Sequence, residues 1–261
     1  MEVVPIRTAT LPPADHTNCY LVGDPEDDFI IVDPAVHYRE DMESLAEAVE
    51  RHNGQPVAIA FTHSHGDHLA DMDLLKEAFD LPVWGSEYTS RSVNCDRILV
   101  DGDVLQLGKQ AWQILITPGH HPGHTCFLSD AGLIAGDMLA GFGTILIPPA
   151  TGDMDEYLQQ LARLRDLEPH LAFPSHGPVI ALPEKKFNYY IKHRSARHDK
   201  VLRAVADGLT SVSEIAVKAY EDTPDAHPGL ARDQTLAHLL SHQRQGKLSQ
   251  DSHGNWHASI D

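Results

Sequence analysis

The chain has 261 residues, 42% of them apolar and 22% charged, with Gly and Pro scattered along it; this composition suits a globular protein and excludes a fibrous or low-complexity one. Its formal charge of −18 is unevenly held: residues 1–179 carry 9 Lys and Arg against 28 Asp and Glu, and residues 180–261 carry 11 against 10, so the balance moves from −19 to +1. The acidic body offers RNA no extended electrostatic track, and the change of sign supports a boundary near residue 180.

Early segments read as strands separated by turn signals: VVPIRTAT, NCYLVG, the acidic turn DPEDD, then FIIVDPA. HYREDMESLAEAVERHN has Met42, Leu45, Ala46 and Val49 at helical spacing and closes on Asn53-Gly54. VAIAF is a short buried strand, DMDLLKEAF a helix, and LPVWG another strand. From residue 98 the pattern turns to β, with RILVDGDVLQL, WQILITP, TCFLSD and LIAGDML, before the helix DMDEYLQQLARLRDL and the strand LAFPSHG. Alternating strands and helices predict a layered α/β arrangement over residues 1–182. Residues 183–261 differ: a long helix ending at Gly208, a helix within TSVSEIAVKAYED, a third in DQTLAHLLSHQRQGK, and a hairpin turning at His253-Gly254-Asn255. Three helices and a hairpin predict a small winged-helix-like domain.

The first twenty residues lack a basic start followed by an apolar stretch, and no window reaches the ~18 consecutive apolar residues of a membrane span, so a soluble, cytoplasmic protein is expected. Cys19, Cys95 and Cys126 show no CxxC spacing, which argues against a disulfide framework or a thiolate metal cage.

The most informative stretch is FTHSHGDHLAD, residues 61–71. A core strand gains nothing by ending in a cluster of imidazoles, each of which needs partners for both nitrogens when buried. His63 and His65, two apart at a strand end, can aim both rings at one point. Asp67 and His68, expected at the start of a helix, can face a second point nearby, so two metal ions fit the pattern. Three further strand ends place a potential ligand beside Gly or Pro: His124 in TPGHHPGHT, Asp137 in IAGDM and His176 in FPSHGP. Neutral imidazole and carboxylate are donors that suit zinc, and they also accept iron or manganese.

The order HxHxDH, a later His, a later Asp and a last His resembles the metallo-β-lactamase superfamily over about residues 1–180, and the tail resembles the extension of its beta-lactamase-like protein 2 subgroup, whose members include RNA-cutting enzymes and polyketide thioesterases. The resemblance implies a four-layer αβ/βα sandwich with two divalent metals at one edge. It implies that His63, His65 and His124 bind the first metal, that Asp67, His68 and His176 bind the second, and that Asp137 bridges them. Asp67 would also orient a metal-bridging hydroxide that attacks the substrate. His65 stands where the flavodiiron oxygen reductases carry Glu, which disfavours a redox role. Asp33 lies where the family often has an Asp that holds a metal-binding His, and His120 and His121 are either neighbours of the ligands or solvent-facing. His16, His37, His52, His170 and most histidines of the tail are expected at the surface.

Substrate choice is less legible. Arg194 and Arg197, three apart on the basic helix after His176, could share a face and bind the phosphate of a coenzyme A thioester or of RNA. A small ester or thioester is the preferred substrate, with single-stranded RNA as the alternative. A metal-containing nucleic-acid-binding regulator is disfavoured, because the candidate recognition helix supplies only Arg244 and Lys247. Association into a homo-oligomer is left open.

Overall fold

Aliphatic runs punctuated by Gly, Asp and Pro build two mixed sheets in the computed structural model, which describes residues 1–259. The chain divides into two units. Met1–Thr117, Gly123–Thr144 and Glu168–Pro183 form the first; Pro118–Pro122, Ile145–Leu167 and the residues from Glu184 onward form the second.

In the first unit, β1 (Glu2–Arg7), β2 (His16–Val22), β3 (Asp28–Val32), β4 (Gln55–Ala60), β5 (Val83–Gly85) and β6 (Arg97–Ile98) form one sheet in that order. β1, β2 and β3 are antiparallel neighbours, and β3 through β6 are parallel. The second sheet runs β11 (Ala172–Pro174), β10 (Gly132–Gly136), β9 (Thr125–Ser129), β8 (Gln110–Ile116), β7 (Val104–Leu107), with β10 and β11 parallel and the other pairs antiparallel. Helices α1 (Arg39–His52) and α2 (Met72–Phe79) are the parallel crossovers.

Period-two alternation decides which face each side chain takes. Tyr20, Val22, Ile30, Val32, Ala58 and Ala60 pack with Trp112, Ile114, Phe127 and Ile134 between the sheets, while Cys19, Leu21, Phe29, Ile31 and Ile59 pack with Met42, Leu45 and Leu75 of the helices. Each fully buried Leu, Ile or Phe contributes about 1.5–3 kcal/mol, so strands buried on both faces read as unbroken apolar runs.

Three expectations are refined here. RILVDGDVLQL is not one strand: it turns at Asp101-Gly102, where Gly102 has φ +86°, so β6 ends one sheet and β7 begins the other. Asp67 and His68 precede their helix rather than start it, because Asp71 is the N-cap that accepts from Asp73 and Leu74 N–H and fixes the start at Met72. His52, expected at the surface, is 4% exposed and lies with its ring 4.2 Å from that of Phe29.

In the second unit, α3 (Met154–Asp166) is followed by α4 (Pro183–Ala206), α5 (Val212–Ala219), α6 (Pro228–Arg244) and the hairpin β12 (Leu248–Gln250) and β13 (Trp256–Ala258). Val201, Ala204, Val205, Ile215, Ala219, Leu239, Leu248 and Trp256 form its core. α6 starts earlier than the reading from Asp233, because Pro228 occupies the first helical turn, where its missing N–H costs nothing. Asp251 accepts from His253 and Asn255 N–H and so builds the hairpin turn. His238 and His242 are fully buried on α6, against the expectation of a mostly surface set. No helix among the described residues is long and apolar enough to cross a membrane.

Candidate metal centre

Parallel pairing places the predicted ligands at one edge of the first unit. β3 and β4 run parallel, so Asp33 after one and Thr62-His63 after the other leave the first sheet together. β10 and β11 run parallel in the second sheet, so Asp137 and Ser175-His176 emerge side by side, and His124 leads into β9, the antiparallel neighbour of β10. Thr125 N–H donates to Thr62 C=O at 2.7 Å and Asn18 N–H to Ser175 C=O at 2.8 Å, which ties the two sheets at this edge. A ligand site at the carboxyl ends of parallel strands is the usual consequence of this architecture.

The side chains converge. His63 Nε2 and His65 Nδ1 are 2.9 Å apart, and the His63 ring lies 4.0 Å from that of His68 and 5.2 Å from that of His124. His176 Nε2 lies 3.5 Å from Asp67 Oδ2 and 3.5 Å from Asp137 Oδ1; His68 Nε2 lies 3.6 Å from Asp137 Oδ1. Two groups, His63 with His68 and Asp137, and Asp67 with His68 and His176, each offer three donor atoms within 4.8 Å of one another. His124 joins neither of these; its Nε2 accepts from Asp137 N–H at 3.0 Å.

Four of the rings are held from behind. His68 Nδ1 meets Asp33 Oδ2 at 2.8 Å, His124 Nδ1 meets Thr117 Oγ1 at 2.7 Å, His176 Nδ1 meets the His16 carbonyl at 3.1 Å and His63 Nδ1 meets Thr62 Oγ1 at 3.0 Å. Asp33 is the centre of this support: its carboxylate also accepts from Thr62 N–H at 2.7 Å, Thr62 Oγ1 at 2.6 Å and Ser175 Oγ at 3.3 Å. Fixing Nδ1–H in this way directs the Nε2 lone pair outward and sets the tautomer a metal needs. Gly136, at φ +51°, is required at the end of β10, since a Cβ there would stand 2.5 Å from His124 Nε2. Thr17 Oγ1 donates to the Asp67 carbonyl at 2.6 Å and pins the loop.

Burial opposes a proton on His68, but Asp137 and Asp33 outweigh it and hold its pKa well above the ordinary histidine value. His176 is raised in the same manner, burial being overcome by Asp137 and Asp67. Burial pushes the Asp67 carboxyl up, and the hydrogen bond from His176 with the neighbouring His68 charge brings it to a net depression. The cluster is therefore a set of carboxylates demanding positive charge, which protons or metal ions can supply.

These features have counterparts in known proteins. The profile of the metallo-beta-lactamase superfamily matches residues 12–176. The chain belongs to that superfamily. Its members are typically metal-dependent hydrolases. Within it, the chain is 25% identical over 217 residues to the beta-lactamase-like protein 2 homolog of Caenorhabditis elegans, covering 80% of this chain and 72% of that protein. It is 27% identical over 192 residues to the atrochrysone carboxyl ACP thioesterase of Aspergillus fumigatus, covering 72% of this chain and 59% of that one. A beta-lactamase domain protein from Burkholderia ambifaria shares the fold with a TM-score of 0.84 at 22% identity, covering 98% of this chain and 91% of the other.

The predicted arginine pair is not part of this cluster. Arg194 and Arg197 belong to the second unit and are 1% and 5% exposed. Arg194 donates to Gln234 Oε1 and the Ile145 carbonyl; Arg197 donates to the Ala219 carbonyl, to Asp222 at 2.9 Å and to Thr223 Oγ1 at 3.1 Å. Both terminal nitrogens of each guanidinium are engaged internally, which corrects the expectation of a phosphate-binding pair. Arg244 is likewise engaged, with Asp153 at 2.8 Å and Asp155 at 3.0 Å. His120 Nδ1 meets the Leu146 carbonyl at 2.7 Å within the second unit. Thr62, Thr117 and Ser175 went unread in the sequence; the only signal was a hydroxyl residue next to a ligand or preceding the glycine-rich TPGHHPGHT turn.

Proposed function

We propose that this superfamily member hydrolyses small esters or thioesters with two divalent cations, zinc by preference, held by His63, His65, Asp67, His68, His124, Asp137 and His176. The donor set fits such ions: it is all imidazole nitrogen and carboxylate oxygen, the type zinc, iron and manganese accept. The observation that carries the reading is His68, whose Nδ1 is anchored on Asp33 while its buried Nε2 lies 3.6 Å from Asp137 Oδ1, beyond hydrogen-bond distance, an arrangement that suits a metal donor.

Bound divalent cations supply Lewis acidity, activating water as a nucleophile and polarising the acyl oxygen. The residues of the chain do the rest. Asp33, Thr62, Thr117 and the His16 carbonyl orient the imidazoles, Asp137 faces both His68 and His176, and Asp67, held by His176, orients the attacking water. An acyl substrate is favoured over RNA because the body is acidic, and the thioesterase named among the relatives supports a thioester. We assign catalysis to residues 1–182 and a winged-helix-like domain to residues 183–261; the order α4, α5, α6, hairpin supports the latter.

The test is a hydrolysis panel of esters, thioesters, lactones and phosphodiesters on metal-loaded protein, with elemental analysis. The reading expects thioester or ester turnover, abolished in His68→Ala and by chelation. Phosphodiester cleavage with no acyl hydrolysis would replace it with the nuclease alternative.

A further inference from the structure

The order β3, β4, β5 in one parallel run puts the loops after β3 and β5 on either side of the loop that carries His63, His65, Asp67 and His68. Each flanking loop exposes a tyrosine: Tyr38 is 64% exposed and Tyr88 is 41% exposed. Both loops are fastened to the site. His37 Nε2 meets the Gly66 carbonyl at 2.9 Å, and Ser86 Oγ donates to the Gly123 carbonyl at 2.7 Å, directly before His124. A Cβ on Gly123 would fall 2.3 Å from Tyr88 Cβ, so Tyr88 is in close contact with the residue beside a predicted ligand. Large apolar rings this exposed, on loops this well held, are surface that a ligand can desolvate.

Local charge indicates what that ligand is. Glu40 and Asp41 follow Tyr38, and Glu87 precedes Tyr88. The nearby cations are already paired: Arg7 with Glu40 and Asp41 at 3.2 Å, Arg39 with Glu77 at 3.3 Å, and Arg91 with Glu87 at 3.7 Å. The Arg91 guanidinium also lies over the Tyr88 ring at 3.9 Å, which holds the ring in place. A phosphodiester or phosphorylated carrier would meet carboxylates and cations already paired, whereas an uncharged aliphatic chain can pack on the rings without that repulsion.

We propose that Tyr38 and Tyr88 bracket the mouth of the site and favour an extended aliphatic acyl chain, making them specificity-determining residues of the hydrolase. The inference rests on the proposed acyl hydrolysis and adds the substrate class. Each methylene that the rings take from water favours binding, so longer acyl groups bind more tightly and truncating both rings removes that dependence.

The experiment compares metal-loaded wild type with Tyr38→Ser/Tyr88→Ser and Tyr38→Leu/Tyr88→Leu on N-acetylcysteamine thioesters from acetyl to decanoyl. The Ser variant is expected to lower the decanoyl-to-acetyl ratio of kcat/KM by about tenfold or more, chiefly through KM, and the Leu variant to retain most of it. An unchanged ratio in the Ser variant overturns the bracket and leaves acyl hydrolysis standing. Calorimetric binding of the non-hydrolysable decanoyl thioether provides a readout independent of turnover. If no thioester is hydrolysed, the functional reading fails, and the isotherms still decide: weaker binding by the Ser variant supports the bracket, and equal binding overturns it. A single-stranded oligonucleotide that binds in place of the thioether, and is weakened by the same substitutions, also overturns it.

Discussion

Asp33→Asn separates holding the fold from preparing the metal ligand. In the wild type, Asp33 Oδ1 accepts from Thr62 N–H, and Oδ2 accepts from Thr62 Oγ1, His68 Nδ1 and Ser175 Oγ, all in a buried setting. Asn keeps an acceptor for Thr62 N–H, but its amide has two N–H groups to face Thr62 Oγ1, His68 Nδ1 and Ser175 Oγ, so one of these contacts is lost together with the charge assistance, about 1–3 kcal/mol in all. For His68 the change is qualitative. An amide N–H facing Nδ1 makes that nitrogen an acceptor, and the neutral ring then carries its proton on Nε2, the atom 3.6 Å from Asp137. Metal affinity is expected to fall about 10- to 100-fold. Urea melts of metal-free protein read the stability change, and competition with a chromophoric chelator reads the affinity. An Asn variant that binds metal as tightly as wild type would refute the tautomer argument.

Other expectations follow from the same geometry. Gly136→Ala forces a Cβ to 2.5 Å from His124 Nε2 at φ +51°, so metal stoichiometry by elemental analysis should drop, with a stability cost of about 1 kcal/mol or more. Because the pKa values of His68 and His176 are raised, protons compete with metal, and chelator titrations should show affinity falling as pH is lowered and protons released on binding. The half-buried His193 and His198 are pushed down to about 4, and the buried His238 well below its ordinary value, burial being the first cause in each. These groups bind protons more readily when unfolded, so their stabilisation is complete above about pH 6.5 and is lost as pH falls towards 4; hydrogen exchange of α4 and α6 should therefore accelerate over that interval. Arg194→Ala leaves the Ile145 carbonyl and Gln234 without their donor, so thermal unfolding of the second unit should shift down by roughly 2–4 kcal/mol.

Much of the site was legible because chemistry and topology coincide in the sequence. HxHxDH follows an apolar strand of one sheet, and Asp137 and His176 follow parallel neighbours in the other, with His124 at the start of the strand antiparallel to β10, so strand pairing brings most of them to one edge. Supporting hydroxyls were not legible: Thr117 and Ser175 matter only through contacts with His124 and Asp33, residues placed by other strands. Arg194 and Arg197 do lie on one helical face, as their spacing requires, but spacing says nothing about whether that face turns inward. It turns in, towards Gln234 and the carbonyls of Ile145 and Ala219. His52, His238 and His242 show the same limit, since a lone histidine in an amphipathic helix reads equally well as buried or exposed.

The most direct measurement is the metal content and thioesterase activity of one preparation taken through chelation and reloading. The account predicts two divalent ions per chain, loss of hydrolysis when they are removed, and recovery with them in wild type and not in His68→Ala. A stripped protein that turns over substrate at the original rate would contradict it.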